Sequence, residues 1–470
     1  MDRLARLFLV VGLGAGCLGT PNASNDAGDP ADAGLEPGTT AWQHELGDAA
    51  PYVAMGAGYV VLAAGFNGEL ALDPPVVAEG GGADILIAGF APDGKQQFAE
   101  VYGGAANEYV TAVTVSRVSG DIAIFGVYGA GEGNIGGDPL PAPAGSVYHM
   151  LVARYGPTGA HAWSLPGTAI DGAFSSFALS MSGSGEVALA GQESSAMDIA
   201  GEVVPYAGPD IDLYYVRLAD TGEPLIGAGY GSVGDQTGAG ALFDGLGGVY
   251  LFGTQNGPFV IDDYSPDSDG DGGLFVCQLD ETGGFIDTTW LFDSIGGTVG
   301  GLRGAVTPDG SLVLTGWFEG TFAFDLPEQE VLVSRGGSDV FIAFVSPDGT
   351  IAGLEQFGGA GDDEPRGVAV GPDGEVAITG SFHADARLGE GPPLSSAGGA
   401  DMFVTLLGAD HQPLWERRFG GLEDDSGLSV AAGEGGAVVV GALYRGVVDF
   451  GGDQPLDSGG DTAAAIIGFR

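Results

Sequence analysis

Short apolar runs recur along the whole chain, parted by turns rich in Gly, Asp and Pro. The stretch from Phe357 to Phe419 shows the pattern most plainly. Phe357-Gly358-Gly359 leads through Asp362-Asp363-Glu364 into Gly367-Val368-Ala369-Val370. A Pro372-Asp373-Gly374 turn follows, then Glu375-Val376-Ala377-Ile378-Thr379-Gly380. After a looser loop come Gly398-Gly399-Ala400-Asp401-Met402-Phe403-Val404, then Leu414-Trp415 and a second Phe419-Gly420-Gly421. Runs of this length, bounded by turn residues, predict four short strands.

The unit repeats. A glycine marks the second strand at Gly65, Gly126, Gly191, Gly253, Gly316, Gly380 and Gly441, at intervals of roughly sixty residues. An apolar strand precedes each, as in Ile122-Ala123-Ile124-Phe125 and Leu312-Val313-Leu314-Thr315. Turns such as Pro92-Asp93-Gly94, Thr158-Gly159, Pro308-Asp309-Gly310 and Pro347-Asp348-Gly349 have the chemistry of hairpins, with Gly supplying a positive φ. Third strands are expected to start near Asp84, Asp212, Asp339 and Asp401. No unit carries a convincing amphipathic helix.

Seven units of four antiparallel strands predict an all-β fold, a seven-bladed β-propeller spanning residues 41–470. One four-stranded sheet cannot bury both its faces, but radial stacking covers each sheet with its neighbours. That accounts for strands apolar on both sides. The last unit stops at a third strand, Ala465-Ile466-Ile467-Gly468-Phe469, while the domain opens on Ala41-Trp42-Gln43-His44-Glu45-Leu46-Gly47. The latter matches the fourth-strand segment Leu414 to Gly420, so the N-terminal strand is expected to complete the last blade.

The recurring string of Phe-Gly-Gly, an acidic pair, Val-Ala-Val, Pro-Asp-Gly and Gly-Gly-x-Asp-x-Phe resembles the bacterial SBBP-type β-propeller repeat family. The resemblance covers roughly Trp42 to Arg470 and is strongest in units five and six. Unit two departs from it, with Val147-Tyr148-His149 in place of Asp-x-Phe, and unit four lacks the Pro-Asp-Gly turns. The family implies a secreted or surface-exposed propeller and brings no defined activity.

At the N-terminus, Asp2, Arg3 and Arg6 precede Leu7-Phe8-Leu9-Val10-Val11-Gly12-Leu13 and then Gly14-Ala15-Gly16-Cys17. A charged start, a short apolar run and small residues describe a signal sequence over residues 1–17. The run is too short for a transmembrane helix. The small residues ending in Cys17 resemble the lipobox of bacterial lipoproteins, in which the Cys is acylated. Here Gly14 stands where that family usually has Leu, and Leu13 lies one place early. A secretory signal cut nearby is the alternative reading. Residues 18–40 have almost nothing to bury and are expected to be a disordered tether, reaching roughly 25–30 Å as a random coil.

Charge narrows the partners. Formal net charge is -49, with 63 acidic residues against 14 basic ones, and Lys95 is the only lysine. Such a chain repels nucleic acid and anionic lipid headgroups and attracts cations or basic proteins. With 90 Gly and a lysine-poor surface, solubility is also served by that charge. The two cysteines, Cys17 and Cys277, do not suggest a disulfide framework.

Two features point to a ligand. Asp267-Ser268-Asp269-Gly270-Asp271-Gly272 matches the first half of an oxygen-rich calcium loop, with Asp267, Asp269 and Asp271 as ligands. Its twelfth position is Gln278 rather than Glu, and Phe275 stands at the ninth, so a solvated loop is the competing reading. The second feature follows the Gly-Gly step, at Asn107, Asp235, Asp362 and Asp424, with Asp48 and Asp171 close by. In a propeller these loops ring one channel mouth. One reading makes each side chain a cap on its own turn. The other makes Asp235, Asp362, Asp363, Glu364, Glu423, Asp424 and Asp425 a channel-mouth cluster for a divalent ion or a basic partner. On that reading Asp362 and Asp424 act as caps, and Asp363, Glu364, Glu423 and Asp425 remain for the ligand.

Enzyme signals are weak. The histidines His44, His149, His161, His383 and His411 have no metal-ligand spacing. Gly229-Tyr230-Gly231-Ser232-Val233-Gly234 fits a dinucleotide fingerprint by letter but precedes no helix. Trp42, Trp163, Trp290 and Trp415 align in fourth strands and read as packing residues. The expected protein is a monomeric binding or structural module, anchored by lipid at the cell envelope, on the bacterial outer membrane or cell surface, or else secreted. The alternative is a propeller hydrolase or lyase acting on an extracellular glycan or other polymer. A pair of channel-mouth carboxylates with one raised pKa would mark that alternative.

Overall fold

In a computed structural model, the described residues are 36–470 without 80–81, 105–106, 130, 143–148, 170–173, 200, 209, 232–233, 257–260, 262–272, 295–296, 325–330 and 389–390. Seven antiparallel blades of four main strands stand around one axis, six of them built from strands in chain order and the last closed by the N-terminal strand. The innermost strands are Ala49–Gly56, Glu108–Val115, Phe174–Met181, Asp235–Phe243, Thr298–Val306, Glu364–Val370 and Ser426–Ala432 for blades 1 to 7. Each touches the inner strand on either side, and the last touches the first, so the ring is closed. The seven-bladed propeller is the observed fold.

Blade 6 shows how the sequence builds a unit. Its strands are Glu364–Val370, Val376–Phe382, Asp401–Leu407 and Pro413–Phe419. The Pro372-Asp373-Gly374 turn is held by Gly371 N–H donating to the Glu375 carbonyl at 2.7 Å. Every residue of the second and third strands is buried. Both faces of these central strands meet a neighbouring blade, which is why they show no polar alternation. The buried apolar side chains fall into seven clusters, one for each gap between adjacent blades. In the gap between blades 5 and 6, Phe357 lies 4.4 Å from Phe403 between ring centroids. No blade has a core of its own.

The seven repeat glycines sit inside the second strands rather than at their ends. In six blades the facing inner strand carries an extra residue opposite this glycine. The bulge pushes a carbonyl towards the second strand. A Cβ on Gly126, Gly253 or Gly380 would overlap the carbonyl oxygen of Tyr109, Thr237 or Glu364 respectively. The most regular mark in the sequence is therefore a close backbone approach.

Trp42 and Trp163 bridge neighbouring blades from outer strands. The Trp42 indole N–H donates to the Pro92 carbonyl at 2.9 Å, and that of Trp163 donates to Asp220 at 2.8 Å. Both acceptors lie in the third-to-fourth turn of the next blade. The turn glycines Gly94 (φ 82°) and Gly222 (φ 85°) pack against the two rings.

Blade 7 consists of Ser426–Ala432, Val438–Val448, Leu456–Phe469 and, as its outer strand, Thr40–Gly47. Trp42 faces Gly468 and His44 faces Ile466 across the last pair. The two chain ends imitate the missing turn. Gly38 N–H donates to the Arg470 carbonyl at 2.5 Å, and Arg470 N–H donates to Thr39 at 3.1 Å. Gly38 (φ 76°) lies against Trp415 as Gly94 lies against Trp42.

One feature differs from the expected four strands. The loop between second and third strands of blades 3, 5 and 6 forms a short hairpin that pairs with the outer strand of the preceding blade. Met197–Ile199 pairs with His161–Ala169, Thr321–Phe324 with Phe285–Ser294, and Asp385–Leu388 with Ile351–Gly359. These hairpins cover three outer edges that would otherwise expose unpaired backbone groups.

Removing residues 37–47 leaves Leu456–Phe469 without its outer partner and uncovers the apolar face behind Ile466. The shortened protein is expected to aggregate or to lose on the order of 10 °C in Tm, whereas removing residues 18–35 should leave Tm unchanged. Equal losses in the two deletions, measured by calorimetry, would rule out strand closure.

Candidate functional site

The acids expected at the channel mouth act first as joints. Asn107, Asp235, Asp362 and Asp424 each accept one backbone N–H through Oδ1, from Ala83 (2.9 Å), Ile211 (3.3 Å), Ser338 (3.2 Å) and Ala400 (2.9 Å). Each donor lies 24 residues back and immediately precedes a third strand. The residue after each acid donates its own N–H to the carbonyl of that same partner at 2.7–2.8 Å. Capping is thus the role of these groups, but the turn they hold is not their own. They clamp the loop leaving one blade to that blade's third strand.

Asp363 and Asp425, expected to remain free for a ligand, are buried and fully engaged. Asp363 accepts N–H bonds from Gly359 (2.8 Å) and His383 (3.2 Å), and Asp425 accepts from Gly421 (2.7 Å) and Arg445 (2.9 Å). Turn-capping therefore uses two carboxylates per loop, not one. Each second acid ties the Gly-Gly step of one blade to the second strand of the next. Burial pushes the Asp363 carboxyl up to about 7 against the lowering effect of its two N–H donors, and it raises Asp425 as well.

In blades 1, 3, 5 and 6 an Asp opens the third strand and explains the glycines facing it. Asp401 accepts the Ala397 N–H at 2.9 Å and pairs with Arg418 at 2.6 Å; Asp339 accepts the Arg335 N–H at 3.0 Å. A Cβ on Gly420 or Gly358 would overlap these carboxylates, and one on Gly103 or Gly231 would overlap Asp84 or Asp212. Of the seven residues proposed as a mouth cluster, Asp235, Asp362, Asp363, Asp424 and Asp425 are accounted for as structure. Glu364 stands 3.8 Å from the Arg366 guanidinium, and Glu423 is exposed.

Blade 3 carries a buried acid that sequence reasoning missed. Glu193 faces Asp212 across the strand pair, where blades 1, 5 and 6 place Phe66, Phe318 and Phe382 against their own Asp. Glu193 is 1% exposed and neither carboxyl oxygen has a hydrogen-bond partner. Burial, with Asp212 beside it, pushes its pKa up to about 9, and burial takes Asp212 up to about 6. Glu108, in the position of Asp363 and Asp425, is raised to about 7 by burial and by Asp84.

All seven inner strands line one axial cavity of about 370 Å3. Its walls are mostly small or apolar, as at Val113, Ala239, Leu242 and Val368, and its charged groups are Arg303 and Arg366, with Tyr52 close by. Arg303 donates from Nε to the Arg366 carbonyl at 3.1 Å and from Nη1 to the Leu302 carbonyl at 2.8 Å. Burial lowers the Arg303 pKa, and the Arg366 charge lowers it further. Burial raises the Tyr52 hydroxyl, while both guanidinium charges oppose that rise. The Arg366 Nε is buried without a hydrogen-bond partner. At the opposite mouth Arg117, in the first turn of blade 2, reaches across to donate to the Val370 carbonyl of blade 6.

Sequence reasoning overlooked these two arginines. A signal was present, since they are the only basic residues in the seven inner strands of a chain with 14. Cys17 and the loop acids Asp267, Asp269 and Asp271 lie outside the described residues. Among the described residues no group of three or more His, Cys, Asp or Glu side chains is arranged to hold a metal ion. The histidines stay apart. His44 meets the Gly94 carbonyl at 2.8 Å, and His411 stacks on Phe344 with ring centroids 3.5 Å apart. Cys277 is buried.

No protein-family model matches the chain, and no curated protein matches it by sequence. Solved structures do resemble it. A Dyadobacter fermentans protein of unknown function aligns with TM-score 0.41 at 14% identity, over 92% of this chain and 98% of that one. A puromycin hydrolase aligns with TM-score 0.43 at 13% identity, over 90% of this chain and 57% of that one. The NanB sialidase of Streptococcus pneumoniae aligns with TM-score 0.36 at 9% identity, over 93% and 71%.

Two outcomes test the structural reading of the acids. Asp425→Asn keeps one acceptor oxygen but turns an amide N–H2 towards a backbone donor, which is expected to cost about 1–3 kcal/mol. Urea unfolding of this variant against Glu423→Gln measures it; an Asp425→Asn protein as stable as the wild type would make Asp425 a free acid again.

The second concerns pH. Glu108, Glu193 and Asp363 have folded-state pKa values above their ordinary ones, so the folded chain holds these protons more tightly than the unfolded chain. Their stabilising contribution is present at low pH and is lost as pH rises through about 7 and then about 9. Tm should be higher at pH 5.5 than at pH 8.5, and Glu193→Gln should raise Tm at pH 8.5 while changing little at pH 5.5. An equal effect of the substitution at both pH values would show that Glu193 does not titrate in this way.

Proposed function

We propose that the protein is a binding propeller of the bacterial cell envelope, anchored by lipid on Cys17, whose ligand seats in the axial channel. The observation that carries this reading is the cavity of about 370 Å3 to which every inner strand contributes. A space of that size, walled by apolar side chains with a few polar groups, suits a small molecule or the end of a polymer chain. Among its described lining residues are Tyr52, Thr111, Arg303, Arg366 and Ser429, and no carboxylate, histidine or cysteine. The raised carboxyls Asp363, Asp425, Glu108 and Glu193 are buried away from it. A polymer hydrolase or lyase needs an acid and a base at the ligand, so the lining favours binding over hydrolysis.

Anchoring is supported by the signal-like N-terminus and the tether-like composition of residues 18–35; the tether expected to run to residue 40 ends earlier, because Gly38, Thr39 and Thr40 belong to the closed blade. Cys277 is buried, which leaves Cys17 as the thiol for acylation. One acyl chain holds a protein to a membrane only marginally, so the anchor needs more than one chain on that cysteine.

Cys17→Ser should move the protein from the membrane to the soluble fraction, and intact mass of the wild-type protein should show added lipid. The soluble variant then serves for a melting-temperature screen against monosaccharides, uronic acids and amino acids. A ligand at 100 times its Kd stabilises the fold by about 2.7 kcal/mol. Val368→Trp, which fills the cavity, should abolish the shift. Ligands that still bind this variant would place the site elsewhere on the propeller.

A further inference from the structure

We infer that the axial channel is an anion site, built by Arg303, Arg366 and Tyr52 for a small monoanionic carboxylate. The inference rests on the channel reading above and adds the chemistry of the ligand. Two guanidinium groups face the same cavity, near enough for the charge of one to depress the pKa of the other. Holding like charges together in a partly desolvated place is unfavourable unless an anion joins them. Among the described residues of the cavity wall no carboxylate does so. Glu364 approaches Arg366 at 3.8 Å from outside the lining, and both side chains of that pair are more than a third exposed. A pair of that kind is weak.

The donors are preorganised. Arg303 spends Nε and Nη1 on backbone carbonyls, which fixes its plane across the channel. The buried Nε of Arg366 is unpartnered. A planar guanidinium with free N–H groups matches a carboxylate bidentately. The Tyr52 hydroxyl adds a third donor from blade 1, across the cavity. Val113, Ala239 and Val368 would meet the ligand's apolar or sugar body.

The charge of the whole protein selects among anions. At a formal net charge of -49, the surrounding field opposes entry of any negative group, and it opposes a dianion twice as strongly. A monocarboxylate therefore suits the site better than a phosphate. Arg117 spans the far mouth, so the ligand enters at the end where the inner strands begin, beside Glu364. Glu364 then competes with the ligand for Arg366.

Calorimetry on the full mature chain with Cys17→Ser tests this, with sodium glucuronate and sodium benzoate as carboxylate probes, glucose as the neutral probe and inorganic phosphate as the dianion. At least one carboxylate should bind, more weakly as salt is raised. Arg366→Gln, whose one side-chain partner is Glu364, should weaken it at least ten-fold. Arg303→Lys keeps the charge without the planar fork and should also weaken it. Glu364→Gln should tighten binding several-fold, whereas a cation site at this mouth would lose affinity in the same variant. The inference is overturned if neither carboxylate binds, if Arg366→Gln leaves their affinity unchanged, or if phosphate binds as tightly. Glucose binding that survives Arg366→Gln but is lost in Val368→Trp would overturn the anion assignment alone and leave the channel reading intact. Probe binding that survives Val368→Trp would remove both.

Discussion

Everything in this propeller depends on one blade packing against the next. The second and third strands are buried on both faces, and each of the seven apolar clusters draws its members from two adjacent blades. A blade alone would expose two apolar faces, so stability is a property of the ring. That condition demands closure, and closure at the chain ends demands that Thr40–Gly47 pair with Leu456–Phe469. The same condition explains why bridging contacts such as Trp42 to Pro92 and Trp163 to Asp220 run between blades rather than within them.

The repeat was legible because this constraint acts on every unit alike. Apolar second and third strands, the Gly opposite the bulge and the Pro-Asp-Gly turns recur since each blade must meet two neighbours in the same geometry. The acid-and-glycine motifs were legible as motifs but not as contacts. The partners of Asp362 and Asp424 lie 24 residues back, and nothing local announces that separation. Asp363 looks like a spare carboxylate beside Asp362 until the fold brings Gly359 and His383 to its two oxygens. The added hairpins were illegible for another reason. Strands as short as Asp385–Leu388 and Leu394–Ser395 carry too few residues to show a period, and their pairing is decided by an exposed edge on the preceding blade.

The acids and the arginines divide the chemistry between them. An acidic cluster read from sequence suggests a cation site, because sequence shows the charges and not the N–H groups pointed at them. In the fold five of those seven carboxylates are engaged as acceptors, holding inter-blade loops in a protein with almost no lysine to pair them. Blade 3 holds an acid for which the fold supplies no such N–H group. Glu193 occupies a place filled elsewhere by Phe, receives no donor, and is forced towards its protonated form.

The channel reverses that arrangement. Where five inner strands offer no basic residue, blades 5 and 6 place two arginines towards one cavity, and Arg303 is held by backbone carbonyls instead of carboxylates. A carbonyl orients a guanidinium without cancelling its charge, whereas a carboxylate would do both. The loop acids are engaged as structural acceptors, while the channel arginines receive no carboxylate from the described cavity wall. An overall charge of -49 then works as a filter at the entrance, so the molecule's acidity and its channel cations serve the same selection.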